Sequence, residues 1–583
     1  MVRKLIRQML YAQIFSALTV SLCLLIDSVM IGRFLGVGAL SSYQLANPIL
    51  LIVAAFASML ASGIQVVCSR SLGKGSQEET NAGYSTAIVL GMGVSLVMTI
   101  LILIFCTPIA TAIGAGREGQ LFEDTRDYMR GFIIGAPATM GAMILVPFLQ
   151  IAGQSGLLVA AVLVMTIADV VLDLLNVLVL HGGMFGMGLV SSLSYYCALL
   201  VGGRYFFTKK CVFRFSFRLV TRAKMLELLK SGIPTLVNLV ACMGLVLVLN
   251  QLLLNVGGSI AVAAFSVVTT IGNAGNCINT GISGVSLTLA GIFYSEEDRT
   301  SLKELVQQLS RYCVVLGLIV GVILAALAIP FASLFITEAG EARAMAVNGI
   351  RFYATGMIPC CLVGALKNSY QATDREKLTE LISVLEQLVF PVLAAWVFSR
   401  FMGVNGAWTY YPLGELLTLI TIGVFIRVRS KKVPWRDGAF LLLHKTFGVP
   451  ADQLMEVNIQ TVEEAVRISK DAENFCRKRG QSPRISSHIA LCIEEMAANI
   501  IEHGFTKDHK PHQLSIRLLH KKDCWVIRFR DDCRAFDPVH YIPGEGKDAL
   551  GIRLMLALAE DAQYTYSLNM NNLMLRLPDE KRD

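Results

Sequence analysis

The chain has 583 residues, of which 54% are hydrophobic and only 16% charged, and its formal net charge is +8. A soluble surface needs more charge than this, and the length exceeds a single domain, so an ordinary soluble globular protein is excluded. The apolar stretches do not alternate in polarity, which excludes a β-barrel and leaves a helical membrane protein.

Twelve apolar stretches follow one another, near 9–31, 46–70, 84–113, 129–152, 156–180, 185–207, 232–255, 261–289, 308–336, 347–370, 379–399 and 404–427. Each is read as a helix crossing a hydrocarbon core about 30 Å thick. The first is too long for a signal peptide, lacks a small-residue cleavage site and leads straight into the second, so it reads as a retained span. Basic residues gather before span 1 (Arg3, Lys4, Arg7), in the middle loop (Lys209, Lys210, Arg214, Arg218, Arg222, Lys224) and after span 12 (Arg427, Arg429, Lys431, Lys432, Arg436). Loops of opposite parity carry acids instead, including Glu118, Glu123, Asp124, Asp127, Glu338 and Glu341. This asymmetry predicts that both termini are cytoplasmic; beside membrane helices the basic runs read as topology signals and not as nucleic-acid patches. The 14 cysteines are scattered without paired CxxC spacing, and read as packing residues in a reducing compartment.

An ionised carboxylate in hydrocarbon is unfavourable by about 3 kcal/mol even on lenient insertion scales, so each acid inside a span requires a reason. Asp27 lies in span 1, and Asp169 and Asp173 lie four residues apart on one face of span 5. Gln65 in span 2 and Asn176 in span 5 offer neutral oxygens. Such a cluster suits Na⁺, or holds a proton because desolvation and like charge favour the neutral carboxyl. Either cation would compete with a cationic cargo. The structural alternative is that Asp169 or Asp173 caps a helix break or pairs with a neighbouring span. In the second half Asn250, Glu386 and Glu415 sit in apolar runs. Glu386 and Glu415 read equally as cavity-facing attractors of cations or as anchors of a helix end. Met165, Met184, Met187, Met243 and Tyr410 are compatible with a plastic apolar cavity, and equally with packing.

The two halves repeat at an offset of about 220 residues, as in parallel-repeat transporters. Leu35-Gly-Val-Gly-Ala-Leu-Ser-Ser-Tyr43 is echoed by Val256-Gly-Gly-Ser-Ile-Ala-Val-Ala-Ala-Phe265, and Gly63 with the loop from Gly73 by Gly284 with the loop from Tyr294. The division expected is a first six-helix bundle over 1–215 and a second over 216–430. Three further stretches, Ile26-Asp-Ser-Val-Met-Ile-Gly-Arg-Phe-Leu-Gly36, Leu45-Ala-Asn-Pro48 and Gly63-Ile-Gln-Val-Val-Cys-Ser69, together with Gly232-Ile-Pro234, resemble the multidrug and toxic compound extrusion (MATE) transporters. The resemblance covers roughly 1–430 and implies two bundles around a central cavity, with export of cationic organic compounds in exchange for Na⁺ or H⁺. It also implies a cation-linked role for Asp27 and matches Asp173 to the family's acid. Where Asp169 stands, the family usually carries an amide.

A basic linker, 431–454, leads to a soluble tail over 455–583. Val462 to Arg479 reads as an amphipathic helix closed by Gly480, and Ser482-Pro483 starts another. Alternation at Leu514/Ile516/Leu518, Trp525/Ile527/Phe529, Tyr564/Tyr566/Leu568 and Leu573/Leu575/Leu577 reads as strands, giving an α/β sandwich. Glu495, Asn499 and His503 share a helical face. An Asn499 oxygen there suits Mg²⁺ held by nucleotide phosphates, and Glu495 one turn earlier suits a general base. Asp531 at a strand end suits an adenine amino group. Gly544-Glu-Gly546 and Leu550-Gly551 before a helix suit phosphates, without the Gly-Lys-[Ser/Thr] ending of a P-loop. Glu495-Met-Ala-Ala-Asn499-Ile-Ile-Glu-His503-Gly, Asp531-Asp-Cys-Arg-Ala-Phe536-Asp-Pro and Asn571-Asn-Leu573 resemble the histidine-kinase-like ATPases, specifically the anti-sigma-factor serine/threonine kinases. That likeness implies binding of ATP with Mg²⁺, with Phe536 beside the nucleotide, and phosphorylation of a small antagonist-like protein. Cys533 departs from the family, which has glycine two residues after the adenine-reading aspartate; a side chain there crowds the base.

The expectation is therefore an all-α polytopic membrane protein of a prokaryotic cytoplasmic membrane, followed by an ATPase-type α/β sandwich. The leading function is ion-coupled export with a regulatory ATP-binding tail. Two other readings stay open: a transporter-like sensor controlling a kinase, and a lipid-linked saccharide flippase, which calls for a cavity richer in Arg and Lys.

Overall fold

The structure is a computed structural model and describes residues 2–580 apart from 36, 114, 116, 209–210, 337–339, 431–438, 445–446, 507–510 and 542–549. Ten of its helices are long and apolar enough to cross a membrane, and twelve crossings result when each of two bent pairs is taken as one. The chain is a multi-pass helical membrane protein with an α/β tail.

Span 1 is Val2–Met30, ending in a π-helical turn over Ile31–Leu35. Span 2, Val37–Gly73, carries Pro48 inside it. Span 3 begins at Gln77, where Ser76 accepts a hydrogen bond from the Glu79 N–H and so satisfies one orphan donor of the first turn. Span 4 is broken into Gln120–Ile133 and Ala136–Ile151, which meet at 47°. Span 5, Ser155–Leu175, runs into a π-helical turn at Asn176–Leu180, and span 6 is Gly183–Gly203. The second half repeats these irregularities. Span 7 and the start of span 8 form one run, Arg222–Gly275, interrupted at Gly258, whose φ of 66° suits glycine. Span 8 continues as Cys277–Ser295, and span 9 is Arg299–Ala326, capped by Asp298. Span 10 is broken like span 4, Glu341–Thr355 meeting Met357–Ala372 at 48°. Span 11 carries a π-helical turn at Leu385–Val389, the counterpart of the one in span 5, and Tyr410–Ser430 closes the body as span 12.

The bundles pack closely at their tail-side ends. A Cβ added to Gly63 in span 2 would stand 2.2 Å from the Leu228 carbonyl of span 7, and one on Gly73 would stand 2.3 Å from the Ile292 carbonyl of span 8. Glycine here lets backbones approach, as in other membrane helix pairs. Arg70 then joins the halves: it donates to the carbonyls of Gln371 and Ala372 at 3.0 Å each and pairs with Asp374 at 2.5 Å.

The tail is a five-stranded antiparallel sheet ordered β1-β2-β3-β5-β4: β1 Leu454–Ile459, β2 Leu514–His520, β3 Cys524–Asp531, β4 Asp561–Ser567 and β5 Met570–Pro578. Strand alternation places Trp525, Ile527, Phe529, Leu573 and Leu575 on one face, where they form a core with the helices Val462–Arg477 and Pro483–Asn499. Strand β1 was not expected from the sequence. Its Met455, Val457 and Ile459 alternate with Glu456 and Asn458 and pack against the tail core, a period-2 signal that the sequence reading passed over.

Candidate functional site

Two clusters of chemistry-bearing residues emerge, one inside the first bundle and one in the tail. Asp27, Asp169 and Asp173 are all buried, at 7%, 3% and 1% exposure. The carboxyls of Asp27 and Asp169 are in hydrogen-bond contact across spans 1 and 5, an arrangement that requires a shared proton. Asp169 also meets the Ser194 hydroxyl of span 6. Among the described residues Asp27 Oδ1 and both oxygens of Asp173 have no hydrogen-bond partner. Among the described residues no basic side chain pairs with any of the three. Asp173 sits one turn before the π-helical segment that opens at Asn176; single π turns of this kind favour functional positions.

The neutral members of the predicted set direct their amide donors elsewhere, although Asn176 follows Asp173 by one helical turn. The Asn176 amide nitrogen donates to the Gly183 carbonyl at 3.3 Å, and its Oδ1 fills the space a Cβ on Gly186 would need. Gln65 lies at the seam between the bundles, donating to Thr288 Oγ1 at 2.5 Å and to the Gly284 carbonyl at 3.0 Å.

In the second bundle Glu386 is 2% exposed and lies within the π turn of span 11, not at a helix end. Its Oε2 accepts from Lys367 Nζ at 2.5 Å, and Lys367 also donates to Asn238 Oδ1 at 2.7 Å. Glu386 is thus neither an open cavity acid nor an anchor. Glu415 is buried beside the Cys360 thiol, with Oε2 unpartnered. Sequence reasoning missed Lys367. A lone lysine inside the apolar run 347–370 was the available signal, since a buried cation in a span needs an anion.

In the tail, Glu495, Asn499, His503, Asp531, Cys533, Phe536 and Gly551 line one cavity of about 700 Å³, together with Tyr564 and Asn571. Helix Pro483–Asn499 supplies the first two, and a π turn at Ile500–Gly504 supplies His503. Asp531 ends β3, and its Oδ1 accepts from Asn571 Nδ2 at 2.7 Å and from the Cys533 N–H at 3.0 Å. Burial pushes the Asp531 carboxyl above its ordinary value, although Asn571 and Cys533 oppose it. Asn571 Oδ1 in turn accepts from the Tyr564 hydroxyl at 2.6 Å and the Phe536 N–H at 3.1 Å, so Asn571 ties Asp531, Tyr564 and Phe536 together. Tyr564 and Asn571 were not singled out as rim holders; on adjacent antiparallel strands nothing but the register brings them together. Glu495 Oε2 lies 2.2 Å from where a Cβ on Gly551 would be, which places the glycine of Leu550-Gly551 against the acid. Gly544 and Gly546 lie outside the described residues. Cys533 is buried in the tail core, its sulfur 3.0 Å from a Cβ position on Gly504, so the missing side chain of Gly504 makes room for it. The cavity's size, its oriented carboxylate and its neighbouring acid and amide fit a nucleotide with a divalent cation.

Residues 12–175 match the MatE family and residues 459–577 match the histidine kinase-like ATPase domain. The chain is similar to the multidrug export protein MepA of Staphylococcus haemolyticus, 24% identical over 407 residues that cover 67% of this chain and 86% of the relative. Among solved structures it resembles an outward-facing multidrug resistance MATE family transporter of the MOP superfamily, with a TM-score of 0.69 at 18% identity over 74% of this chain and 96% of the other. A MATE structure in complex with MaL6 matches equally, with a TM-score of 0.69 at 19% identity over 74% and 96%. These likenesses establish the fold of the body.

Proposed function

We propose that this chain, a MatE-type membrane body joined to a histidine kinase-like ATPase domain, is an ion-driven exporter of small cationic organic compounds whose tail binds ATP and regulates it. The observation that carries the reading is the cluster of Asp27, Asp169 and Asp173, buried in one bundle without a basic partner among the described residues. Three carboxylates cannot all stay charged there, so the cluster must take up protons or Na⁺. When the inorganic cation is bound, the pull on a cationic cargo falls; when it leaves, the pull returns. That exchange is antiport. The relatives named as multidrug export proteins support the cargo class.

The excess of lysine and arginine on the tail side supports a cytoplasmic tail. We divide the chain into bundles 1–215 and 216–430, a linker 431–454 and an ATPase domain 455–583. Bound ATP would supply a transferable phosphoryl group. Lining one cavity, Asp531 would orient the base, Asn499 would hold Mg²⁺, and Glu495 would accept a hydroxyl proton. A small antagonist-like protein is the acceptor class the tail's resemblance suggests.

The test is accumulation of ethidium in everted vesicles, driven separately by a Na⁺ gradient and a pH gradient. Asp27→Asn is expected to reduce driven uptake to background, and Glu495→Ala to leave most of it. Undiminished uptake by Asp27→Asn would overturn the exporter reading. Absence of any driven uptake by the parent chain, with ligand-dependent phosphorylation by the tail, would favour a membrane sensor instead.

A further inference from the structure

The tail sheet has two faces, and only one is covered by its own helices. On the other face Arg517, Arg528 and Arg530 form a stripe, because β2 and β3 place Arg517 opposite Arg528 and Ser515 opposite Arg530. Like charges directly opposed across an antiparallel pair repel, so acid laid over this face stabilises it. The loop after span 8 provides that acid. Glu296 pairs with Arg530 and, at 3.6 Å, with Arg528. Asp298 pairs with Arg517 at 2.6 Å, and Glu297 with Lys521 at 2.8 Å. Burial disfavours the Glu296 charge, yet Arg530 and Arg528 outweigh it and hold the carboxyl below its ordinary value.

The first bundle is gripped as well. Lys4 of span 1 pairs with Asp532, and the Gly73 carbonyl after span 2 accepts from Arg528 at 3.3 Å. The β4–β5 hairpin tip docks on the loop after span 4: the Leu568 N–H donates to the Ile151 carbonyl at 2.8 Å, and Asn569 Nδ2 to the Gly153 carbonyl at 2.9 Å. Leu568 adopts a φ of 56°, a conformation that bulky residues avoid unless their surroundings enforce it. The tail therefore bridges both bundles, across the same side that Arg70 closes.

The nucleotide cleft and this interface share strand residues one peptide apart. Asp531 and Asn571, paired in register, line the cleft; Arg530 and Asn572, also paired, face the membrane body and bond each other at 2.7 Å. Asp532, next to Asp531, holds Lys4. We propose that the tail is a strap across the gate: docking of the arginine face on the span 8 loop and nucleotide binding in the cleft are energetically coupled, so that ATP sets how readily the carrier opens on the tail side. This rests on the reading of the tail as an ATP-binding regulator.

Coupling is reciprocal, so loosening the interface must alter nucleotide affinity by the same factor that nucleotide alters docking. The experiment is titration of the purified full chain with ATP and Mg²⁺. Glu296→Arg is expected to shift the Kd by about fivefold or more, the usual lower range of allosteric coupling. Glu296→Arg combined with Arg530→Glu is expected to restore the parent value. Lys4→Glu, at a mostly exposed position that folding tolerates, is expected to shift it in the same direction by less. If the parent binds ATP and both single variants stay within about twofold of it, a change below 0.5 kcal/mol, the strap is overturned while the ATP-binding reading survives. A parent chain that binds no ATP overturns both.

Discussion

Spans 5 and 11 occupy corresponding places in the two bundles, share a π-helical turn and bury acids beside it, yet they treat those acids in opposite ways. In span 5 Asp173 has no partner on either oxygen among the described residues, and Asp169 is in hydrogen-bond contact with Asp27. In span 11 Glu386 is matched by Lys367 and backed by Gln387 at 3.0 Å. A matched pair is neutral as built and has little call on a mobile cation. An unmatched cluster must borrow its neutralising charge from solution. The contrast supports the proposal that exchange belongs to the first bundle, with Glu415 of span 12 an acid of the second bundle that has an unpartnered oxygen among the described residues.

The largest effect expected from breaking this contrast is on stability. Lys367→Met leaves Glu386 buried and unpaired, which costs about 3–5 kcal/mol. Thermal unfolding of the purified chain should show a large loss, and adding Glu386→Gln should recover most of it. A single variant as stable as the parent would mean that Glu386 is already protonated, and the two spans would then be alike. Asp173→Asn is the converse: it removes no ion pair, so stability should change by no more than about 1 kcal/mol. Gradient-driven ethidium uptake should nevertheless fall to background, whereas in the double variant of span 10 and span 11 it should persist.

The contrast was only half legible in the sequence. Twelve apolar runs, the repeat and the three aspartates follow from composition and helical spacing, because a span must be apolar throughout and any acid in it stands out. Glu386 stood out for the same reason, but its partner did not. Lys367 lies 19 positions away on another span, and only the antiparallel packing of spans 10 and 11 brings the charges together. Gln65 and Asn176 were grouped with the aspartates by chemistry alone. Their actual partners, Thr288 and Gly183, depend on how a glycine or threonine on a neighbouring span presents itself. In the tail, Glu495, Asn499 and Asp531 line one cavity because a helix and a strand end carry them, while His503 enters on a π turn, Phe536 follows β3 and Gly551 belongs to the helix Leu550–Leu558. The arginine face escaped notice because Arg517, Arg528 and Arg530 read as ordinary solvent-facing positions of strands until an acidic loop is seen to cover them.

The smallest and most discriminating prediction concerns Asp169, which distinguishes this cluster from the pattern it resembles. An amide at this position can still donate a hydrogen bond to Asp27, so the geometry across spans 1 and 5 survives. What disappears is the carboxyl that shares the Asp27 proton, leaving two acids in the cluster where there were three. With one fewer carboxyl nearby, the cation held by the cluster meets a different charge, because neighbouring carboxylates interact. Asp169→Asn should therefore keep driven uptake while moving its pH profile by about one unit, or about 1.4 kcal/mol of interaction. The measurement is initial rate of ethidium uptake against internal pH, with Asp27→Asn as the inactive reference. A profile that does not move would show that Asp169 holds no share of the titrating charge, and the exchange would then belong to Asp27 and Asp173 alone. Complete loss of uptake would show the opposite, that all three carboxyls act as one binding group.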